Sequence, residues 1–189
     1  MTTILGISGS LRSGSFNTML LKQAARAAPE GTRVEFGSIK NIPLYDGDVE
    51  SASGLPAAAE QLKTQVVQCD GLLLVTPEYN NGIPGVFKNA IDWLTRPAAD
   101  VPRVFGNKPV AVIGASPGNF GTLLAQEAWL PVLRILGTRP FFGTRIMVSR
   151  AATVFDESGE IKDDALLAQL RKFMSGFAAF VQMNRPPGR

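Results

Sequence analysis

The segment Gly9-Ser10-Leu11-Arg12-Ser13-Gly14-Ser15-Phe16-Asn17 brings hydroxyls, a guanidinium and an amide together on a glycine-containing stretch. The chemistry these groups share is the binding of an anion. An apolar run, Ile4-Leu5-Gly6-Ile7, precedes the segment, and a stretch with helical periodicity, Met19 to Ala28, follows it. A strand feeding a polar, glycine-rich turn that opens a helix is a phosphate-binding geometry. The first N–H groups of the helix lack partners and its N-terminus carries partial positive charge. Ser10, Ser15 and Asn17 can add side-chain donors, and Arg12 adds a full charge.

The kind of phosphate can be narrowed. A P-loop requires G-x-x-x-x-G-K-[ST], and no lysine stands in this turn. The dinucleotide fingerprint G-x-G-x-x-G does not fit the spacing of Gly6, Gly9 and Gly14. A hydroxyl-rich loop with one arginine suits a terminal phosphate monoester, where each charge-assisted bond contributes roughly 1.5–3 kcal/mol. The alternative is an ordinary strand-to-helix turn with Ser15 or Asn17 as helix cap. Capping needs one such residue, and several are present.

Two further loops share the character of a binding surface. Thr76-Pro77-Glu78-Tyr79-Asn80-Asn81-Gly82-Ile83-Pro84-Gly85 and Ala115-Ser116-Pro117-Gly118-Asn119-Phe120-Gly121 are rich in Gly, Pro and Asn. Both can present bare main-chain donors and acceptors. Tyr79 and Phe120 can pack on a planar ring. A planar heterocycle with a polar edge and a phosphate tail describes flavin mononucleotide (FMN).

The elements that must position these loops alternate between strand and helix. Thr3–Ser8 reads as a first strand, Phe16–Ala28 as a first helix and Arg33–Phe36 as a second strand. A loop from Asn41 to Gly54 leads to a second helix that starts near Pro56, with Leu62, Val66 and Val67 on its apolar face. Gly71–Thr76 is a continuous apolar run, the mark of a parallel strand covered on both faces. A third helix begins near Pro84 and carries Val86, Phe87, Ala90, Ile91 and Leu94 at helical spacing. Thr95 to Asn107 reads as loop, and Lys108–Gly114 as another buried strand.

A fourth helix follows Gly121, with Leu124, Ala128, Trp129, Val132 and Leu136 on its apolar side, and Pro131 should kink or interrupt it. Arg145–Val148 gives the last strand. Leu166, Leu167, Leu170, Phe173, Met174, Phe177 and Val181 form one stripe on the final helix. Five βα units imply a doubly wound α/β sheet, so the loops after the first, third and fourth strands should share one site. Residues 1–183 are read as a single domain and residues 184–189 as a frayed tail.

Composition removes other chemistries. The chain of 189 residues has no histidine, which excludes Ser-His-Asp hydrolysis, Cys-His catalysis and histidine-ligated metals. The single cysteine, Cys69, cannot form an internal disulfide or a zinc site alone and reads as a small buried residue. No signal peptide or membrane-spanning run is read, so the expected location is cytoplasmic. A net charge of +3, without a basic cluster interleaved with aromatics, argues against nucleic acid and suits anionic small molecules. The reactive group of an enzyme built from this chain is then expected to be a cofactor.

Gly9-Ser10-Leu11-Arg12-x-x-Ser15-x-Asn17, followed by Pro77-Glu78-Tyr79-Asn80-x-x-x-Pro84-Gly85-x-x-Lys88-Asn89-Ala90-Ile91-Asp92-Trp93, resembles the NADPH-dependent FMN reductase family. The likeness is strongest to its branch of quinone-, chromate- and azo-compound-reducing flavoenzymes, and it covers nearly the whole chain. It implies a flavodoxin-like five-stranded parallel sheet of order 2-1-3-4-5 with helices on both faces. It implies non-covalent FMN, with Ser10, Arg12, Ser15, Phe16 and Asn17 around the phosphate. Pro77, Glu78, Tyr79 and Asn80 would border the isoalloxazine, and Ser116 and Gly118 would close the third side. Paired glycines common in that third loop are here Gly121-Thr122, and Phe87 replaces a commoner leucine as a packing change of little consequence.

The resemblance further implies a homodimer or homotetramer and a ping-pong reaction. NADPH or NADH donates, and a small acceptor such as a quinone, free flavin, an azo compound or an oxyanion then takes its place. The nicotinamide carbon must approach flavin N5 to about 3–3.5 Å. Main-chain donors from Asn80, Asn81 or Gly82 would stabilise charge at the N1/O2 edge. Glu78 is read as structural rather than as an acid, and no side chain is assigned a catalytic proton transfer. The rival readings are an electron carrier and an FMN-dependent interaction module, both without NAD(P)H turnover.

Overall fold

The computed structural model describes residues 1–185. β1 (Thr2–Ser8) is an interior strand of a parallel sheet. It pairs with β2 (Thr32–Gly37) on one side and with β3 (Gly71–Val75) on the other, and β3 pairs with β4 (Pro109–Ala115). The order β2-β1-β3-β4-β5 is the flavodoxin-like one. Every residue of β3 is buried, as its unbroken apolar run requires.

Side-chain alternation divides the core into two layers. Ile4, Leu73, Val75, Ala111 and Ile113 face α1 (Phe16–Arg26) and α8 (Asp164–Met183). Leu5, Ile7, Leu72, Leu74 and Val110 face α3 (Ala57–Gln68), α4 (Gly85–Leu94) and α6 (Leu123–Ile135). The stripe of the last helix meets the sheet as expected: Leu170, Phe173, Met174, Phe177 and Val181 are buried, with Leu166 and Leu167 at its margin. Each fully buried side chain of this size contributes roughly 1.5–3 kcal/mol.

Several sequence expectations are corrected. The loop from Asn41 to Gly54 contains α2 (Gly47–Ser53), a helix with no buried residue and so no apolar period to reveal it. Asp46 caps it by accepting the Asp48 N–H at 2.8 Å. The loop from Thr95 to Asn107 contains a 3-10 turn, Ala98–Asp100, and α5 (Val101–Val104), which Pro102 helps to start. A further short helix, α7 (Ala151–Val154), follows the last strand.

α6 runs through Pro131 without interruption. Pro131 lies on the exposed face, where water can serve the carbonyl that loses its partner. The buried side of α6 is Ala125, Trp129, Leu133 and Leu136, whereas Leu124 points outward. The fifth strand position is split between β5 (Arg139–Pro140), paired with Pro109–Val110, and β6 (Met147–Val148), paired with Gly114–Ala115. Between them the chain leaves the ladder at Phe141, whose ring packs against Phe173, Phe177 and Phe180 at 5.5–5.7 Å between centroids.

Asn184 and Arg185, expected to fray, are held in place. Asn184 Oδ1 accepts from Arg139 Nη1 at 2.7 Å, and Arg185 Nη2 donates to Asp70 Oδ2 at 2.7 Å. Residues 186–189 of the expected tail lie outside the described residues. Among the described residues no helix is long and apolar enough to cross a membrane.

Candidate active site

Parallel strands deliver the loops after β1, β3 and β4 to one end of the sheet. The first wall is the turn from Gly9 to Ser15. Gly9 extends the ladder by donating its N–H to Val75 O at 2.9 Å. A Cβ on Gly9 would stand 2.1 Å from Phe87 Cδ1, so the turn rests directly on that ring and only glycine fits. Phe87 is in turn held edge-on against Trp129 at 5.0 Å. Phe87 is thus a packing residue, as expected, and the place it packs is the floor of this turn.

Ser15 is the N-cap of α1, its Oγ accepting from Asn17 N–H at 3.2 Å and Thr18 N–H at 3.3 Å. Among the described residues the main-chain N–H groups of Ser13, Gly14, Ser15 and Phe16 have no hydrogen-bond partner. α1 has no acidic residue in its first turn. The Arg12 guanidinium sits 5.7 Å from the centroid of the Phe16 ring, beside the helix start. A cation beside a helix N-terminus is unfavourable unless an anion sits between them. The donors and the field both fit a phosphate monoester.

Two side chains expected to reach that phosphate are committed elsewhere. Asn17, 3% exposed, donates Nδ2–H to Ala115 O at 2.8 Å and accepts the Ala115 N–H on Oδ1 at 2.9 Å. It fastens the first turn to the end of β4. The hydroxyl of Ser15 is the cap just described, so what Ser15 offers is its main-chain N–H. Phe16 stacks on Phe155, centroids 6.0 Å apart, and contributes its N–H in the same way. Ser10 accepts the Arg12 N–H on its Oγ at 3.3 Å, which shapes the turn.

The second wall is a tight hairpin. Tyr79 and Gly82 exchange both main-chain hydrogen bonds at 3.1 Å. Asn80 and Asn81 occupy the left-handed region, at φ 49° and 61°, as a two-residue hairpin turn demands. The N–H groups of Asn80 and Asn81 have no partner among the described residues. The Gly82 N–H, the third donor expected for the ring, is taken by Tyr79 O. Pro77 is buried, and Tyr79 is about half exposed. Glu78 turns away from the hairpin tip: its Oε2 accepts the Ala125 N–H at 2.9 Å, in the first turn of α6.

The third wall is braced from within. Ser116 donates its hydroxyl to Gly121 O and its N–H to Val148 O, and accepts from Ala151 N–H. Gly118 O accepts the Arg150 N–H at 3.0 Å, and Arg150 Nε donates to Asn119 Oδ1 at 3.1 Å. The hydroxyl of Ser116 is thus internal to its loop, while Phe120 is 76% exposed at the rim. Sequence reasoning missed Arg150, whose left-handed backbone (φ 49°) turns β6 into α7 against this loop. Nothing in residue type distinguishes it from other surface arginines.

The rest of the second motif is scaffolding. Asn89 accepts the Tyr45 N–H and donates to Pro43 O, both at 2.8 Å, and Trp93 Nε1 donates to the same Pro43 O at 2.9 Å. These bonds strap the loop after β2 to α4. Lys88 pairs with Asp92 at 2.7 Å. Burial pushes the Cys69 thiol up to about 11, and it donates to Val66 O as an inert core residue.

A doubly wound parallel sheet of this strand order, with three loops gathered at one end, defines a flavodoxin-like protein. The sequence matches the NADPH-dependent FMN reductase family over residues 2–153, and the chain belongs to that family. It is accordingly an oxidoreductase that works with FMN as cofactor and NAD(P)H as co-substrate. It is 41% identical over 182 residues to an NAD(P)H-dependent FMN reductase of Pseudomonas aeruginosa, covering 96% of each chain. Identity is 38% over 177 residues to a 2-hydroxy-1,4-benzoquinone reductase of Burkholderia sp, 94% of each chain. It is 37% over 184 residues to a quinone reductase of Escherichia coli strain K12, 95% of each. Among solved structures, the flavoenzyme NAD(P)H:acceptor oxidoreductase FerB from Paracoccus denitrificans superposes with a TM-score of 0.88 at 31% identity, covering 98% of this chain and 100% of that one.

Proposed function

We propose that this protein is a cytoplasmic reductase that moves a hydride equivalent from NADPH or NADH, by way of FMN, to quinones and related small acceptors in a ping-pong cycle. The observation that carries the reading is the first turn: unpaired N–H groups from Ser13 to Phe16 and the Arg12 guanidinium converge on one helix start that has no acidic residue. Those groups hold the phosphate. The free N–H groups of Asn80 and Asn81 serve the polar edge of the ring, and Pro77, Tyr79 and Phe120 border it. Bound FMN supplies the hydride-accepting centre. The chain's task is to leave one ring face open, first to the nicotinamide and then to an acceptor.

The names of the relatives support quinones as acceptors, with free flavin, azo compounds and oxyanions as further candidates. Residues 1–183 act as one FMN-binding domain, in a homodimer or homotetramer. Anaerobic mixing of the FMN-loaded protein with NADPH, then with NADH, tests the reading. Rapid loss of flavin absorbance, restored by a benzoquinone, is the expected result. No bleaching with either nucleotide would instead favour an electron carrier.

A further inference from the structure

We infer that Glu78 is a positioning residue, the remote N-cap of α6, which locks the ring-bordering hairpin to the helix behind the third loop. The inference rests on the proposal that this hairpin borders the flavin ring. α6 starts at Leu123 after Thr122, whose side chain makes no cap hydrogen bond. Thr122 Oγ1 instead accepts from Gln126 Nε2 at 3.0 Å. The orphan N–H at the third position of the helix, Ala125, is met by Glu78 Oε2 at 2.9 Å, 47 residues away in sequence. A carboxylate at this point also answers the partial positive charge of the helix start. In a protein whose first turn attracts anions in the same way, the second helix start is thereby closed to them.

The consequence for the site is mechanical. Glu78 stands two residues before Asn80, and the hairpin from Tyr79 to Gly82 is closed only by its own two hydrogen bonds. On one side it leads from buried Pro77, and on the other into Ile83, packed on the core, and buried Pro84, whose carbonyl accepts from Phe87 and Lys88 at the start of α4. The Glu78 bond adds a side-chain tie to α6, which fixes the hairpin relative to the third loop, so that the free N–H groups of Asn80 and Asn81 keep one orientation. Asn17 makes the matching tie between the first turn and Ala115. The three walls are thus cross-linked by two side chains, bonded to main chain at the end of β4 and in the first turn of α6, on either side of the third loop.

The test compares Glu78→Gln with Glu78→Ala in the full chain. The glutamine carbonyl can still accept the Ala125 N–H; alanine cannot. Glu78→Gln should keep FMN affinity within about three-fold and leave the pH profile of quinone reduction unshifted. Glu78→Ala should weaken FMN by about ten-fold, the scale of one lost charge-assisted hydrogen bond. It should also speed amide exchange at Ala125 by at least about ten-fold. Turnover lost equally in both variants, with FMN retained, would assign Glu78 to proton transfer and overturn the inference, as would unchanged Ala125 exchange in Glu78→Ala. If Glu78→Ala does not fold, Glu78→Asp, one methylene too short to reach, takes its place with the same expectation. Ala125 exchange is read without flavin, so a failure of the FMN reading and a failure of the strut give different results.

Discussion

The turn after β1 and the loop after β4 look alike in composition, both short and rich in Ser, Gly and Asn, yet the fold sets them in different electrostatic surroundings. In the first, Arg12 is exposed and a run of main-chain N–H groups has no partner among the described residues. In the second, the Ser116 hydroxyl and N–H, the Gly118 carbonyl and the Asn119 amide oxygen are all engaged inside the protein. Main-chain N–H groups without a partner among the described residues occur in both, from Ser13 to Phe16 in the first and from Gly118 to Gly121 in the second. The difference lies at the helix each loop opens: the start of α1 has no acidic residue and Arg12 beside it, whereas the start of α6 is already met by the Glu78 carboxylate. Residue type does not separate the two, because the same hydroxyl or amide serves either; what separates them is the charge that the fold brings to each helix start.

The comparison can be broken by substitution. The largest effect is expected at the brace between the two loops. Asn17→Ala leaves the Ala115 N–H and C=O without their partner and should lower unfolding stability by about 2–4 kcal/mol in denaturant titration. Next comes the ligand side of the first turn. Arg12→Ala should raise the FMN dissociation constant at least about ten-fold, roughly 1.5–3 kcal/mol, with little change in stability. A yellow protein of unaltered FMN affinity would reject the phosphate assignment. Ser116→Ala should do the reverse, costing about 1 kcal/mol of stability and less than about three-fold in FMN affinity. A larger loss of affinity than of stability there would make the third loop a ligand contact after all.

The smallest effect lies outside both loops and serves as a control. Hydrogen bonds from Arg103 and then Lys63 hold the Asp100 carboxyl down at about 2, from an ordinary 3.8. The folded value is the lower one, so this contribution is present above the unfolded value and disappears as pH falls from about 4 through about 2. Asp100→Asn should flatten the acid limb of stability in that window and leave FMN binding at neutral pH unchanged. Acid unfolding curves of the two proteins check it.

Much of the architecture is legible in the sequence. The apolar runs at Ile4–Ile7, Gly71–Thr76 and Lys108–Gly114 read as strands covered on both sides, the Leu166–Val181 stripe as a helix facing a core, and both readings match the fold. The elements that escaped notice, α2, α5 and α7, are four to seven residues long and bury at most one side chain each, so no hydrophobic period marks them. The fifth strand position was legible only in its second part, Met147–Val148, because Arg139–Pro140 is too short to show alternation and Phe141 turns toward α8.

The sequence by itself determined the alternation of the long strands and helices, the placing of a hydroxyl- and glycine-rich turn at the first crossover and the lack of any histidine. These follow from local periodicity, glycine spacing and composition, which require no knowledge of distant neighbours. Only the tertiary structure decided that Asn17 ties the first turn to Ala115, that the structural partner of Glu78 is the start of α6, and that the Ser116 hydroxyl is turned into its own loop. Asn17 meets Ala115 across 98 residues and Glu78 meets Ala125 across 47. A hydrogen bond exists only where folding has already brought its two ends together, so the role of a polar side chain in this site is a property of the closed sheet and not of the motif that carries it.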